Sequence, residues 1–131
     1  MKVLALDYGS ARTGVAVSDP TGTVARPLGV VEKAGAESGL AELARIAREQ
    51  DVERVVVGLP LTMRGHHGEQ ATETEQFVEA LRGVITVPIE LFDERFTTVL
   101  AQRTPNAAAA VDALAAAHLL SDYLEWCAQR S

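Results

Sequence analysis

Three short apolar runs crowd the first 31 residues, and only turns separate them. Residues 2–7 are almost wholly apolar, as suits a strand buried on both faces. Residues 13–18, Thr-Gly-Val-Ala-Val-Ser, form a second run, and Gly9-Ser10-Ala11-Arg12 between them is short enough to make an antiparallel hairpin. Asp19-Pro20-Thr21-Gly22 is a strong turn signal before a third strand near 23–31, where Pro27 favours an edge or irregular position. Two more apolar runs, 55–59 and 85–92, lie farther on, and each is preceded by an amphipathic stretch. Residues 37–50 place Leu40, Leu43, Ile46 and Ala47 on one helical face. Residues 70–82 do the same with Ala71, Thr74, Phe77, Val78 and Leu81.

After strand five a short helical turn is expected beyond Arg95. A final helix follows at 107–127, capped by Asn106, with a stripe of Val111, Leu114, Ala115, Leu119, Tyr123 and Trp126. The order is β-β-β-α-β-α-β-α. A meander of three strands followed by two crossover units is an α/β fold with a five-stranded mixed sheet. Right-handed crossovers carry strands four and five past strand one, giving the order 3-2-1-4-5 with helices on both faces, a ribonuclease H-like arrangement. No repeat or linker divides the chain, so residues 1–131 are read as one domain.

Charge gives a first guess about partners. Lys and Arg number 12 against 18 Asp and Glu, a formal charge of -6, which at first sight disfavours a polyanion. The cations are nearly all arginine, however, the side chain better matched to phosphate; only Lys2 and Lys33 are lysines. No apolar run is long enough to cross a membrane and no signal peptide is visible. The single cysteine, Cys127, suits a reducing, cytoplasmic setting and excludes both an internal disulfide and a cysteine-based zinc site.

The acids are unevenly placed. Asp7 ends the first strand on the pleat face of Val3 and Ala5, where a carboxylate is costly unless paired, hydrogen-bonded or bound to a metal. Asp93 and Glu94 end the fifth strand, and Asp112 stands among Val111, Ala113, Leu114 and Ala115 on the last helix. In the expected sheet order these positions converge on one edge. Each alone has a plain structural role as a turn cap, a solvated strand end or a helix-terminus charge. Together they form an oxygen-only donor set suited to Mg²⁺ or Mn²⁺, and a two-ion site of that kind hydrolyses phosphodiesters without a nucleophilic side chain.

Four segments carry a resemblance. Asp7-Tyr8-Gly9-Ser10-Ala11-Arg12-Thr13-Gly14-Val15-Ala16-Val17-Ser18-Asp19 resembles the opening motif of the YqgF/RuvX family, whose members are described as pre-16S rRNA nucleases and as Holliday junction resolvase-like proteins. Val57-Gly58-Leu59-Pro60-Leu61 with Met63, Gly65 and Gly68 is similar to the second motif. Asp93-Glu94-Arg95-Phe96-Thr97-Thr98 is similar to the third, and Val111-Asp112 with Ala115-Ala116 and Leu120 to Leu124 to the fourth. Each motif is weak, but the four in order are specific. The resemblance implies a metal-dependent endonuclease with Asp7, Glu94 and Asp112 as catalytic metal ligands. Its implied partner is nucleic acid, either structured precursor rRNA in ribosome biogenesis or branched DNA in recombination and repair. A four-way junction has two-fold symmetry, so resolving one calls for a homodimer. Between the adjacent acids the resemblance favours Glu94. Strand alternation instead puts Asp93 on the face of Val87, Ile89 and Leu91, so Asp93 stays as a neighbouring or substitute ligand. The chain departs from the family pattern before Asp112, where Arg103-Thr104-Pro105-Asn106 and an alanine run replace a longer, often basic segment.

Arg12, Arg64 and Arg95 lie in the motif loops and are candidate phosphate contacts, with Arg95 equally suited to orienting Asp93 or Glu94. Thr97 and Thr98 are candidates for phosphate hydrogen bonds or for capping a short helix. His66 and His67 read as solvated loop, and His118 as a helix-surface partner of Asp122. Tyr123 and Trp126 read as core or a dimer contact, and Tyr8 and Phe96 as core packing beside the acids. Two other classes remain. An actin-like kinase shares the Asp-x-Gly turn but needs two such domains; a non-catalytic module would keep the fold and lose the chemistry. A Rossmann enzyme is excluded by the lack of Gly-x-Gly-x-x-Gly after the first strand.

Overall fold

A computed structural model describes residues 1–9, 11–59, 68–93 and 108–129. Three strands, β1 (Val3–Asp7), β2 (Arg12–Ser18) and β3 (Ala25–Glu32), lead into helix α1 (Glu37–Glu49). Strand β4 (Arg54–Leu59), helix α2 (Glu69–Arg82), strand β5 (Ile89–Asp93) and helix α3 (Ala108–Gln129) complete the chain. The sheet order is β3-β2-β1-β4-β5, as the handedness rule requires. β1 pairs antiparallel with β2 and parallel with β4, so it is the central strand and is buried along its apolar length.

Local chemistry explains the boundaries. The Asp19 carboxylate accepts hydrogen bonds from the backbone N–H groups of Thr23 (2.9 Å) and Val24 (3.0 Å) and from the Thr21 hydroxyl, closing the β2–β3 turn. These bonds, the Thr21 hydroxyl foremost, hold its pKa well below the usual carboxylate range. The turn therefore takes Thr23 and Val24, and β3 begins at Ala25 rather than at residue 23. β3 is an edge strand, the position that Pro27 requires. Its pairing with β2 is irregular between Val15 and Ala16, opposite Gly29, whose φ of +153° an L side chain rarely adopts. Helix α1 ends in a Schellman motif. Asp51, at φ +54°, donates its N–H to Arg48, and the buried Val52 donates to Ala47.

β5 is shorter than the sequence suggests. Val84 and Ile85 still donate to Leu81 at the end of α2, and Pro88 brings no N–H of its own. Ladder pairing starts at Ile89. The turn expected beyond Arg95 and the cap at Asn106 lie outside the described residues.

The sheet has two differently filled faces. On one, Leu4, Leu6, Val15, Val17, Val55 and Val57 pack against Leu43 and Ala47 of α1 and Phe77, Val78 and Leu81 of α2. On the other, Val3, Ala5, Ala16, Val56 and Phe92 pack against Ala116, Leu119, Leu120, Tyr123 and Leu124 of α3. The α3 stripe is rotated from the expected one. Ala113 and Ala116 face the sheet, whereas Leu114 is 49% exposed. The α3 backbone approaches Gly14 closely at this end, a closeness that alanines facing the sheet permit. Among the described residues no helix is long and apolar enough to cross a membrane.

Candidate active site

Asp7 is the last residue of β1 and shares its pleat face with Val3 and Ala5, the face that α3 covers. Across the hairpin it pairs with Gly14. A side chain at Gly14 has no room. A Cβ there would overlap the Asp112 carbonyl oxygen and stand 2.5 Å from its carbonyl carbon and 3.3 Å from the Ala113 nitrogen. The first turns of α3 therefore lie directly on the β1–β2 hairpin beside Asp7. Asp7 and Asp112, 105 residues apart in the sequence, are brought to the same corner by one missing side chain.

Arg12 stands at the start of β2, two residues from Gly14 on the same face. Its Nε donates to Asp112 Oδ2 at 2.7 Å, with the two side chains 43% and 26% exposed. A cation thus already sits on one of the candidate ligands. The Asp112 backbone is thus fixed by the Gly14 contact and its carboxylate is engaged by a guanidinium.

Asp93 closes β5 opposite Leu59 of β4. Alternation holds here as the sequence implied, with Ile89 and Leu91 packed into the α1/α2 core. That face is the wrong one, however, because Phe92 and not Leu91 points toward α3. Asp93 therefore falls on the pleat face opposite Asp7 and Asp112. The alternation that favoured Asp93 becomes an argument against it. Glu94, Arg64, Arg95, Thr97 and Thr98 lie outside the described residues, as do His66, His67 and Phe96. Among the described residues no three His, Cys, Asp or Glu gather closely enough to hold a metal.

Tyr8, next to Asp7, turns to the other face. Its ring stacks on Phe77 with centroids 4.4 Å apart and an interplanar angle of 21°. Burial pushes its phenol pKa up, and the nearby Glu73 adds to the effect. Tyr8 thus anchors the strand end to α2 while Asp7 points toward α3. A groove of about 300 Å³ lies on the α1 side, floored by Val15, Leu28, Val31 and Ile46 and rimmed by Glu42, Arg45 and Glu49. It is separated from Asp7 and Asp112 by the sheet.

Two contacts escaped the sequence reading. The first is Gly14 against α3; counting outward evenly from the turn at 9–12 would have paired Gly14 with Asp7. The second is a polar bridge at the far end of the sheet. Arg54 donates to the Tyr123 hydroxyl at 2.7 Å, and that hydroxyl donates to Glu90 at 2.8 Å. Tyr123 is fully buried, and burial raises its pKa. Its ring lies edge-on to Phe92 at 5.5 Å and near Trp126 at 6.2 Å. Phe92 and Tyr123 are buried core, with Trp126 packed against them.

The chain is 43% identical over 131 residues to a protein of Chloroflexus aggregans named "Putative pre-16S rRNA nuclease", covering 94% of this chain and 92% of that one. A protein of the same name from Roseiflexus sp. is 42% identical, covering 95% and 94%. Among solved structures the chain resembles Thermus thermophilus RuvC in complex with a Holliday junction substrate. The TM-score is 0.60 with 96% of each chain covered, and at 18% identity the likeness is one of fold. The fowlpox virus Holliday junction resolvase superposes with a TM-score of 0.54 at 12% identity, covering 95% and 99%. The family model described as "RuvX: Holliday junction resolvase" matches residues 1–126, and the chain belongs to that family.

Proposed function

We propose that the chain is a single-domain, metal-dependent endonuclease that hydrolyses phosphodiester bonds in nucleic acid, and that its first substrate is the 5′ segment of pre-16S rRNA in the cytoplasm. The observation that carries this reading is the seating of Asp112 against Gly14, directly across from Asp7. It gives two carboxylates, far apart in sequence, one shared corner at the C-terminal end of the central strand. Family membership and the names of the relatives point the same way.

Asp7, Glu94 and Asp112 would hold Mg²⁺ or Mn²⁺, which when bound supplies an activated water and charge stabilisation for the leaving oxygen. Glu94 is preferred to Asp93 because Asp93 falls on the opposite pleat face. The other parts belong to the protein. Gly14 fixes the separation of β2 and α3. Tyr8 pins the end of β1 to α2 so that Asp7 keeps its direction. Arg12, with Arg64, Arg95, Thr97 and Thr98 from the neighbouring motifs, would contact phosphate and set the strand in register. Two divalent ions would also cancel most of the excess negative charge, so binding should be weak without metal and sensitive to salt.

Branched DNA is the second substrate class, favoured by the family model's own description. The test is parallel cleavage of a pre-16S 5′ segment and a synthetic four-way junction, each with Mg²⁺ and with Mn²⁺. Preferential cut of the rRNA segment is expected, and Asp7→Asn should abolish it while the far-UV circular dichroism stays unchanged. Preference for the junction, together with a dimer in solution, would transfer the assignment to resolution of branched DNA. Cleavage of neither would leave a binding module of the same fold.

A further inference from the structure

We propose that Arg12 is a metal-displaced clamp: it pairs with Asp112 in the absence of a divalent cation and is released to a substrate phosphate when one binds. The inference rests on the reading of Asp112 as a metal ligand. Three observations carry it. The Nε of Arg12 already holds Asp112 Oδ2 at 2.7 Å, so guanidinium and metal ion would claim the same carboxylate. The Asp112 main chain is held in place, with its carbonyl against Gly14, so its carboxylate stays within reach of both the ion and the hairpin. Arg12 can move away, because it starts β2 at the hairpin turn and is 43% exposed, with a long side chain free to swing outward.

The physical consequence is a coupling between two ligands. A metal ion that takes Asp112 competes with Arg12 for the carboxylate's charge and places positive charge beside the guanidinium. The guanidinium is then driven toward solvent, where an incoming phosphate is the natural bidentate partner. Metal binding and nucleic-acid binding thus assist each other, and by linkage each strengthens the other by the same factor. Without metal, the carboxylates repel the nucleic-acid backbone and Arg12 is spent on Asp112. The arrangement makes an acidic chain a poor nucleic-acid binder until it is loaded.

The test compares the full-length chain with Arg12→Gln and Asp112→Asn, using Mn²⁺ titration followed by calorimetry and a fluorescent four-way junction in Ca²⁺ or EDTA. Arg12→Gln is expected to bind Mn²⁺ about threefold more tightly, the factor an exposed ion pair of ordinary strength supplies. It should also melt slightly lower than the wild type in EDTA and gain more on adding Mn²⁺. In Ca²⁺ the same variant should lose junction affinity, whereas in EDTA its affinity should match the wild type. Equal or weaker Mn²⁺ binding by Arg12→Gln, while Asp112→Asn loses the ion, would overturn the clamp and leave the metal site standing. If Asp112→Asn binds Mn²⁺ as the wild type does, the metal-ligand reading itself fails and the clamp falls with it.

Discussion

The face of the sheet under α1 and α2 is filled by Leu, Val and Phe side chains, with two helices laid across it. The face under α3 relies on alanines near Asp7 and turns aromatic toward β5, around Phe92, Tyr123 and Trp126. The first face holds the fold by area removed from water. The second gives up side-chain volume so that one helix backbone can rest on a hairpin and deliver Asp112. Both are close-packed, but the closeness serves different ends. On the α1/α2 face a larger cavity is merely a loss of stability; on the α3 face a shift of an ångström would misplace the proposed ligand Asp112.

The largest expected effect tests the scaffold face. Leu81→Ala should lower stability by about 2–5 kcal/mol in urea unfolding, since Leu81 is fully buried between α2 and the sheet. Cleavage per folded molecule should stay near the wild-type value, and a matching fall in that rate would erase the division of labour between the faces. Gly14→Ala should reverse the pattern. Its methyl meets the Asp112 backbone, so α3 must lift, at a cost of about 1–3 kcal/mol and with near-complete loss of metal-dependent cleavage. A Gly14→Ala protein that cleaves normally would show that the α3 contact does not position the site.

Smaller effects are expected away from the corner. Tyr123→Phe keeps the ring packing and removes only the hydroxyl between Arg54 and Glu90, which then face each other at 3.5 Å. A loss of about 1 kcal/mol is expected with cleavage unchanged, measured by the same unfolding and cleavage assays. The smallest change belongs to neither face. Asp19 is held as a carboxylate by the β2–β3 turn, so its folded pKa lies below its unfolded one. The stability it contributes is full above the ordinary carboxylate pKa and fades as pH falls through the folded value. Asp19→Asn should flatten the acid limb of the melting temperature against pH and leave neutral-pH cleavage intact.

Much of this organisation can be read along the chain. The α2 stripe Ala71, Thr74, Phe77, Val78 and Leu81 is buried as its spacing implies, because a helix on a flat sheet face obeys its own period. Pro27 marks an edge strand because no central strand tolerates a missing N–H. Leu114 misled the reading. Hydrophobicity alone puts a leucine inward, yet on α3 near Asp112 it is Ala113 and Ala116 that face the sheet. For Asp93 the alternation with Ile89 and Leu91 holds, but the sequence does not say which face of β5 meets α3.

The sequence by itself therefore determined the element order, the sheet order and the three acids worth watching, because period and handedness are local or nearly local properties of the chain. Only the tertiary structure decided what Asp112 rests on and which cation it pairs with. The Gly14–Asp112 contact and the Arg12–Asp112 pair join residues some hundred positions apart, and steric exclusion between backbones, unlike periodicity, leaves no pattern along a single chain.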